Sequence, residues 1–190
     1  VTSTPRASRR AETTQESRRL LVTAATELFA ERGYRQTTFE DIAARSGVSR
    51  GSIPWHFGNK EGLLGAVVEH AVVQPLAGEP DTLDEAMDTL VAFTRSPSTT
   101  LFATLVGEAV EPGSAPHKWY SELHDTLRRR ISAWLARADL PAGVDADELA
   151  TVVLGAVVGI HMQWRIAPEA IDLERTYTTL GAVLRSVGIT

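Results

Sequence analysis

Cysteine is absent from the 190 residues, which excludes a disulfide framework, a thiolate zinc site and a cysteine nucleophile. That absence suits a reducing compartment, and a cytoplasmic location is the expectation. No leading apolar segment of signal-peptide type is present. The longest uncharged run, 149–164, is short of the about twenty residues that a spanning helix needs, so no membrane partner is expected. No strand-like alternation persists anywhere and no repeat recurs. There is no G-x-S-x-G elbow, no phosphate-binding glycine loop and no H-E-x-x-H. Ser121, His124 and Asp125 stand close together without any of these around them. His117 and His124, seven apart, lack a convergent acid or cysteine. The expectation is a protein that is not an enzyme and carries no metal and no cofactor.

What is present is enough apolar sequence for a real core, 43% of the chain, in one or two small domains. The net charge of −5 divides unevenly. Residues 1–65 hold ten Lys/Arg against seven Asp/Glu, or +3, while residues 66–190 hold nine against seventeen, or −8. A basic N-terminal part and an acidic remainder fit a phosphate-binding head that leaves its body off the nucleic acid.

The basic part contains a helix-turn-helix pattern. Thr38 and Asp41 are spaced as a capping box, Ile42 and Ala43 give an apolar side, and Gly47 ends the helix. Ser49 is placed to cap a second short helix whose first exposed side chain is Arg50. Small residues at Ser49, Gly51 and Ser52 permit close approach to DNA, and Arg50 is the side chain suited to a bidentate grip on guanine. His56 and Lys60 stand where they would clamp phosphate beside the next helix.

The segment Ala25-Thr26-Glu27-Leu28-Phe29-Ala30-Glu31-Arg32-Gly33-Tyr34, followed by Thr37-Thr38, Ile42-Ala43, Gly47-Val48-Ser49, Trp55-His56-Phe57 and Asn59-Lys60-Glu61, resembles the DNA-binding domain of the TetR family of transcriptional regulators. The resemblance implies Thr37, Thr38, Arg45, Ser49, Arg50, Gly51, Ser52, Trp55, His56 and Lys60 as the DNA-contacting set. One position departs: the family usually has tyrosine, typically on a DNA phosphate, where this chain has Pro54. A proline inside a helix removes a donor and crowds the preceding turn, so a short, tight or kinked recognition helix is expected.

Along the chain, residues 1–12, with Pro5, Arg6, Arg9 and Arg10, read as a disordered arm. Residues 13–58 read as the DNA-binding domain and 59–190 as a helical regulatory and dimerisation domain. Thr13 and Glu16 are spaced to box the first helix, which Gly33 stops, and a fourth helix runs from Asn59 to Pro75. Further helices are predicted from Thr82, from Ser98 or Thr99, from Pro116 to about Ala138, from Asp145 and from Pro168. The triplet Arg128-Arg129-Arg130 reads as a solvated face. The uncharged run 149–164 predicts a helix buried on both flanks. The fold class is all-α.

The expected function is a homodimeric repressor on a palindromic double-stranded DNA operator, released by a small, mostly apolar effector. Val152, Gly155, Ala156, Gly159, Leu180, Val183 and Leu184 are the candidate dimer residues. Met87, Phe93, Phe102, Trp119, Tyr120, His161, Met162 and Trp164, large side chains with few charges among them, are the candidate ligand contacts. Two alternatives stay open at this level: a DNA-binding dimer without a ligand, and a helical adaptor or enzyme with a vestigial head.

Overall fold

The computed structural model describes residues 5–96 and 99–189, with side chains from Thr13 onward. Among the described residues every regular element is helical. The elements are α1 (Pro5–Gln36), α2 (Phe39–Ser46), α3 (Ser52–Phe57), α4 (Lys60–Val68), α5 (Leu83–Arg95), α6 (Thr99–Ala109), α7 (Ala115–Leu135), α8 (Ala146–Ile166) and α9 (Leu173–Ser186).

Residue contacts group the chain into two compact units, 1–74 with 100–119, and 75–99 with 120–190. The sequence reading divides it at residue 58 instead. The first unit therefore holds the helix-turn-helix, all of α4, most of α6 and the opening turn of α7. Its core is the apolar stripe of α1 (Leu21, Ala24, Ala25, Leu28, Phe29) with Ile42, Ile53, Leu63, Leu64 and Val67, all buried. Leu101 and Leu105 of α6 are buried too. α4 passes into one wide π-helical turn over Glu69–Val73, closed by Gln74 N–H to Glu69 C=O at 3.0 Å.

In the second unit Leu83 and Met87 of α5, Leu135 of α7, Ala150 and Val153 of α8, and Leu173, Tyr177 and Leu184 of α9 form one buried cluster. Burying the Tyr177 ring places its hydroxyl in the core, where it meets the hydroxyl of Thr94 at 3.1 Å. Arg130 donates to the carbonyls of Leu76, Ala77 and Gly78 at 2.6, 2.9 and 2.9 Å. That role corrects the reading of the arginine triplet as a uniformly solvated face.

Helix starts differ from the sequence reading where capping chemistry decides. α1 begins at Pro5, so residues 5–12 are helix rather than arm; proline is favoured at a first helical position and nothing breaks the run until Gly33 (φ 84°, ψ 167°). Residues 1–4 of that arm lie outside the described residues. So does Ser98, one of the two starts considered for α6. α9 starts five residues after Pro168, because the Asp172 carboxylate takes the Arg175 N–H at 3.0 Å and fixes the cap there. Asp145 and Thr82 cap α8 and α5 as their spacing predicts.

α8 is only partly covered within a single chain. Its 21 residues are, by length and composition alone, enough to cross a membrane. One flank, with Ala150, Val153, Leu154 and His161, is buried within the chain. On the other, Val152 is 66% exposed, and a Cβ on Gly155 or Gly159 would meet open space.

Candidate nucleic-acid interface

The recognition turn is built by three polar devices. Thr38 caps α2 in a reciprocal box: Asp41 N–H donates to Thr38 Oγ1 at 3.2 Å, and Thr38 N–H to the Asp41 carboxylate at 2.8 Å. These bonds from Thr38, side chain first and backbone second, hold the Asp41 carboxyl below its ordinary range. Gly47 ends α2 at φ 70°, and its N–H returns to Ala43 C=O. Ser52 N–H and Ile53 N–H then reach back to the carbonyls of Ser49 and Arg50 at 2.9 and 3.1 Å, a tight turn before α3.

That turn relocates the start of the recognition helix. Ser49 does not cap α3 through its side chain; its hydroxyl pairs with that of Ser52 at 2.8 Å, and α3 starts at Ser52. Pro54 is thus the third helical residue, where a backbone N–H would have no intrahelical acceptor in any case. The helix is short, as expected, yet the proline costs it no hydrogen bond. Ile53 anchors it in the core, and Trp55 is left 70% exposed beside exposed Arg50 and Gly51.

The candidate contacts separate into those presented to solvent and those engaged elsewhere. Arg50 is exposed and bridges to Glu40 of α2 at 3.0 Å. Ser49, Gly51 and Trp55 are also exposed, and Ser52 is half-buried. Thr37 is only 1% exposed, and its hydroxyl donates to Gly33 C=O at 2.8 Å, so it secures the end of α1 and is not on the surface. Thr38 spends its hydroxyl on Asp41. Arg45 turns back onto α1, pairing with Glu27 at 3.0 Å and Glu31 at 2.9 Å. Those carboxylates, Glu31 foremost, raise its already high pKa.

His56 stacks edge-on against Trp55 at 4.5 Å, with burial first and Arg18 second holding its imidazole below the ordinary value. Arg18 lies over the Phe57 ring at 5.3 Å. Lys60 points inward, its ammonium 4.3 Å from the Tyr34 ring centroid and its N–H directed at Arg35 C=O at 3.4 Å. Burial lowers its pKa, with Glu108 and Asp41 opposing the shift. Sequence reasoning placed Lys60 on phosphate; here an aromatic face holds it. Arg18 and Glu40 are head residues to which that reading gave no role, and it quoted Tyr34 without its lysine partner. Their partners lie in other elements, Phe57 in α3, Lys60 in α4 and Arg50 in the turn after α2, and no spacing within one segment signals them.

The candidate ligand contacts are divided between the two units. In the first, Phe102 is half-buried, and Trp119 packs its ring against Gly65 so closely that a Cβ there would collide with it. In the second, Met87 and Trp164 belong to the core cluster or pack on it, and Phe93 and Met162 are half-buried. Tyr120 is buried with its ring against His124 at 5.5 Å, and burial raises its phenol pKa. His161 is buried, and burial foremost lowers its pKa. Of the dimer candidates, Val152, Gly155 and Val183 are exposed, whereas Ala156, Gly159 and Leu180 are half-buried. Leu184, at 4% exposure, belongs to the chain's own core, because α9 turns it toward Leu135 and Tyr177; it is withdrawn from the interface set.

An all-helical chain with a capped helix-turn-helix in its basic N-terminal part is the class these elements define: a DNA-binding regulator. Residues 21–67 match the family described as bacterial regulatory proteins, tetR family. The HTH-type transcriptional regulator TtgR of Pseudomonas putida is 28% identical over 183 residues, covering 85% of this chain and 86% of TtgR. A TetR transcriptional regulator from Chloroflexus aurantiacus superposes with TM-score 0.70 at 27% identity, over 94% of this chain and all of that one. The SmeT–triclosan complex gives TM-score 0.77 at 21% identity over 92% of both chains, a likeness of fold. The family match thus lies over the helix-turn-helix part of the chain, and the relatives it resembles along most of its length are transcriptional regulators.

Proposed function

We propose that this chain is a homodimeric repressor that binds a palindromic operator and is released by a small, mostly apolar molecule. The observation that carries the reading is the solvent-facing recognition turn, in which Arg50, Gly51 and Trp55 stand outward from a helix anchored by Ile53. Arg50 would read a guanine edge, while Gly51 lets backbone approach. Residues 13–58 would supply the DNA-contacting surface and 59–190 the regulation and dimerisation. The uncovered flank of α8, Val152 with Gly155 and Gly159, together with Val183 of α9, would pair isologously with a second copy. Two heads so joined would meet half-sites about one helical turn apart, 34–36 Å, or a multiple of it.

For the effector, the SmeT–triclosan complex offers a small aromatic molecule bound to a protein of this fold. Met87, His161, Met162 and Trp164 of the second unit would give apolar walls and one polar handle. Release requires the effector to favour the DNA-incompetent state, since equal affinity for both states shifts nothing. Such a regulator would act in the cytoplasm, without a membrane partner. Selection of bound sequences from random duplex DNA tests the core of the proposal. A palindromic consensus is expected, and recovery of no preferred sequence by folded protein at low salt would refute it.

A further inference from the structure

The end of α1 is held by a side chain from far along the chain. At Gly33 the helix breaks, and the amide of Arg35, two residues on, is accepted by the Glu108 carboxylate at 3.1 Å (Oε2) and 3.5 Å (Oε1). Glu108 sits in the last turn of α6 with its side chain only 18% exposed. Gly33 makes the room, since a Cβ at that position would run into Oε1 of the same carboxylate. One turn earlier on the same face of α6, Thr104 Oγ1 donates to Ala30 C=O at 3.0 Å, so the helix is docked along the end of α1 at two points.

The same residue is gripped from its other side. Arg35 C=O accepts from Lys60, the first residue of α4. Its guanidinium pairs with Glu111 and approaches Glu108 to 4.0 Å. Arg35 is thereby fixed by α6 at its N–H and by α4 at its C=O. Buried Thr37 and the cap residue Thr38 follow directly, and from there α2 and α3 depart.

We propose that Glu108 is a positioning residue of the DNA-binding head. Its carboxylate fixes the Arg35 peptide and, through it, the angle at which α2 and the recognition helix leave α1. The head competent for sequence-specific binding then comprises residues 100–119 as well as the N-terminal helices. This inference rests on the DNA-binding reading above.

The test uses the full chain and the duplex that the wild type selects from random DNA. Glu108→Ala removes the acceptor, whereas Glu108→Gln keeps an oxygen for the Arg35 N–H. Specific affinity is expected to fall about tenfold in Glu108→Ala, the scale of a lost charge-assisted bond, and to return to within about threefold in Glu108→Gln. Binding to non-specific duplex at low salt should stay within about twofold, because phosphate contacts need no fixed angle. Amide exchange at Arg35 should be fast in Glu108→Ala and slow in Glu108→Gln. If Glu108→Ala fails to fold, Glu108→Asp, which withdraws the carboxylate by one methylene, takes its place. Unchanged specific affinity, or equal loss of specific and non-specific binding, would overturn the inference. A wild type that selects no sequence, yet keeps Arg35 protected, would instead strike at the DNA reading and take this role down with it.

Discussion

Gly65 and Trp119 touch across the first unit with no space for a single carbon between them: the indole of α7 lies where a Cβ on α4 would be. Gly65→Ala is therefore expected to destabilise the protein by about 1–3 kcal/mol, although alanine is the better helix former. Trp119→Ala removes the obstacle and leaves a void of its own, at a cost of at most about 3 kcal/mol for this half-buried ring. The double variant should be less destabilised than the sum of the two. Urea denaturation of all four proteins measures the coupling, and strict additivity would mean that the ring moves aside freely.

Arg50 and Glu40 are both exposed, so their 3.0 Å ion pair contributes little to stability. Arg50→Ala should leave the melting temperature nearly unchanged while costing about 1–3 kcal/mol per half-site on selected DNA and relaxing preference at one position. Lys60→Met should do the reverse. Loss of its cation–π contact would cost the head about 0.5–1 kcal/mol, and the salt dependence of DNA binding should hardly change. A salt slope reduced by about one in Lys60→Met would return that residue to a phosphate.

The contrast between these two residues marks how far the sequence was legible. Capping signals are local, and Thr38 with Asp41, Gly47, Asn59 and Asp145 all act where their spacing placed them. The helix-turn-helix was consequently readable almost to the residue, and the all-helical class with it. The start of α3 was not, because backbone bonds of the Ser49–Ser52 turn, and not a side-chain cap, set its position. Nor was the direction of Arg45 or Lys60, although the exposure of Arg50 was. Arg45 and Lys60 each choose partners on other helices, Glu27 and Glu31 in one case and Tyr34 in the other. Such choices depend on helix packing that no spacing within one segment encodes. The effector contacts were least legible, since large apolar side chains suit a core and a pocket equally, and Met87 is packed within the core cluster.

Acid should weaken the second unit through half-buried His124 and buried His161. Burial holds both His124 and His161 below the ordinary imidazole value, so the unfolded chain binds more protons as the pH falls through about 6.5. Their contribution is fully present above that value and is lost as the pH drops toward the folded-state values. Each can add at most about 1.4 kcal/mol per pH unit to the slope. Denaturant titrations between pH 5 and 7 should show stability falling with acid, and His161→Gln should flatten the fall. An unaltered slope in that variant would place the proton uptake elsewhere.

The uncovered flank of α8 offers the sharpest separation between the chain by itself and the chain as a dimer. Gly159 lies mid-helix in open space, so within one chain Gly159→Ala should be harmless and even stabilising by up to about 1 kcal/mol. Gly159→Glu should likewise fold, because its side chain has solvent to enter. Against a second copy the same changes act oppositely: a methyl would hold the helices apart, and a carboxylate would be buried without a partner. The expectation is wild-type dimers at micromolar concentration in sedimentation equilibrium, weakened dimers for Gly159→Ala, and folded monomers for Gly159→Glu. Specific DNA affinity should fall with the dimer, because one head contacts one half-site. Helical content unchanged from wild type in the Glu variant is the control that ties the loss to association. A wild-type monomer, or a Gly159→Glu protein that still sediments as a dimer, would move the interface away from α8.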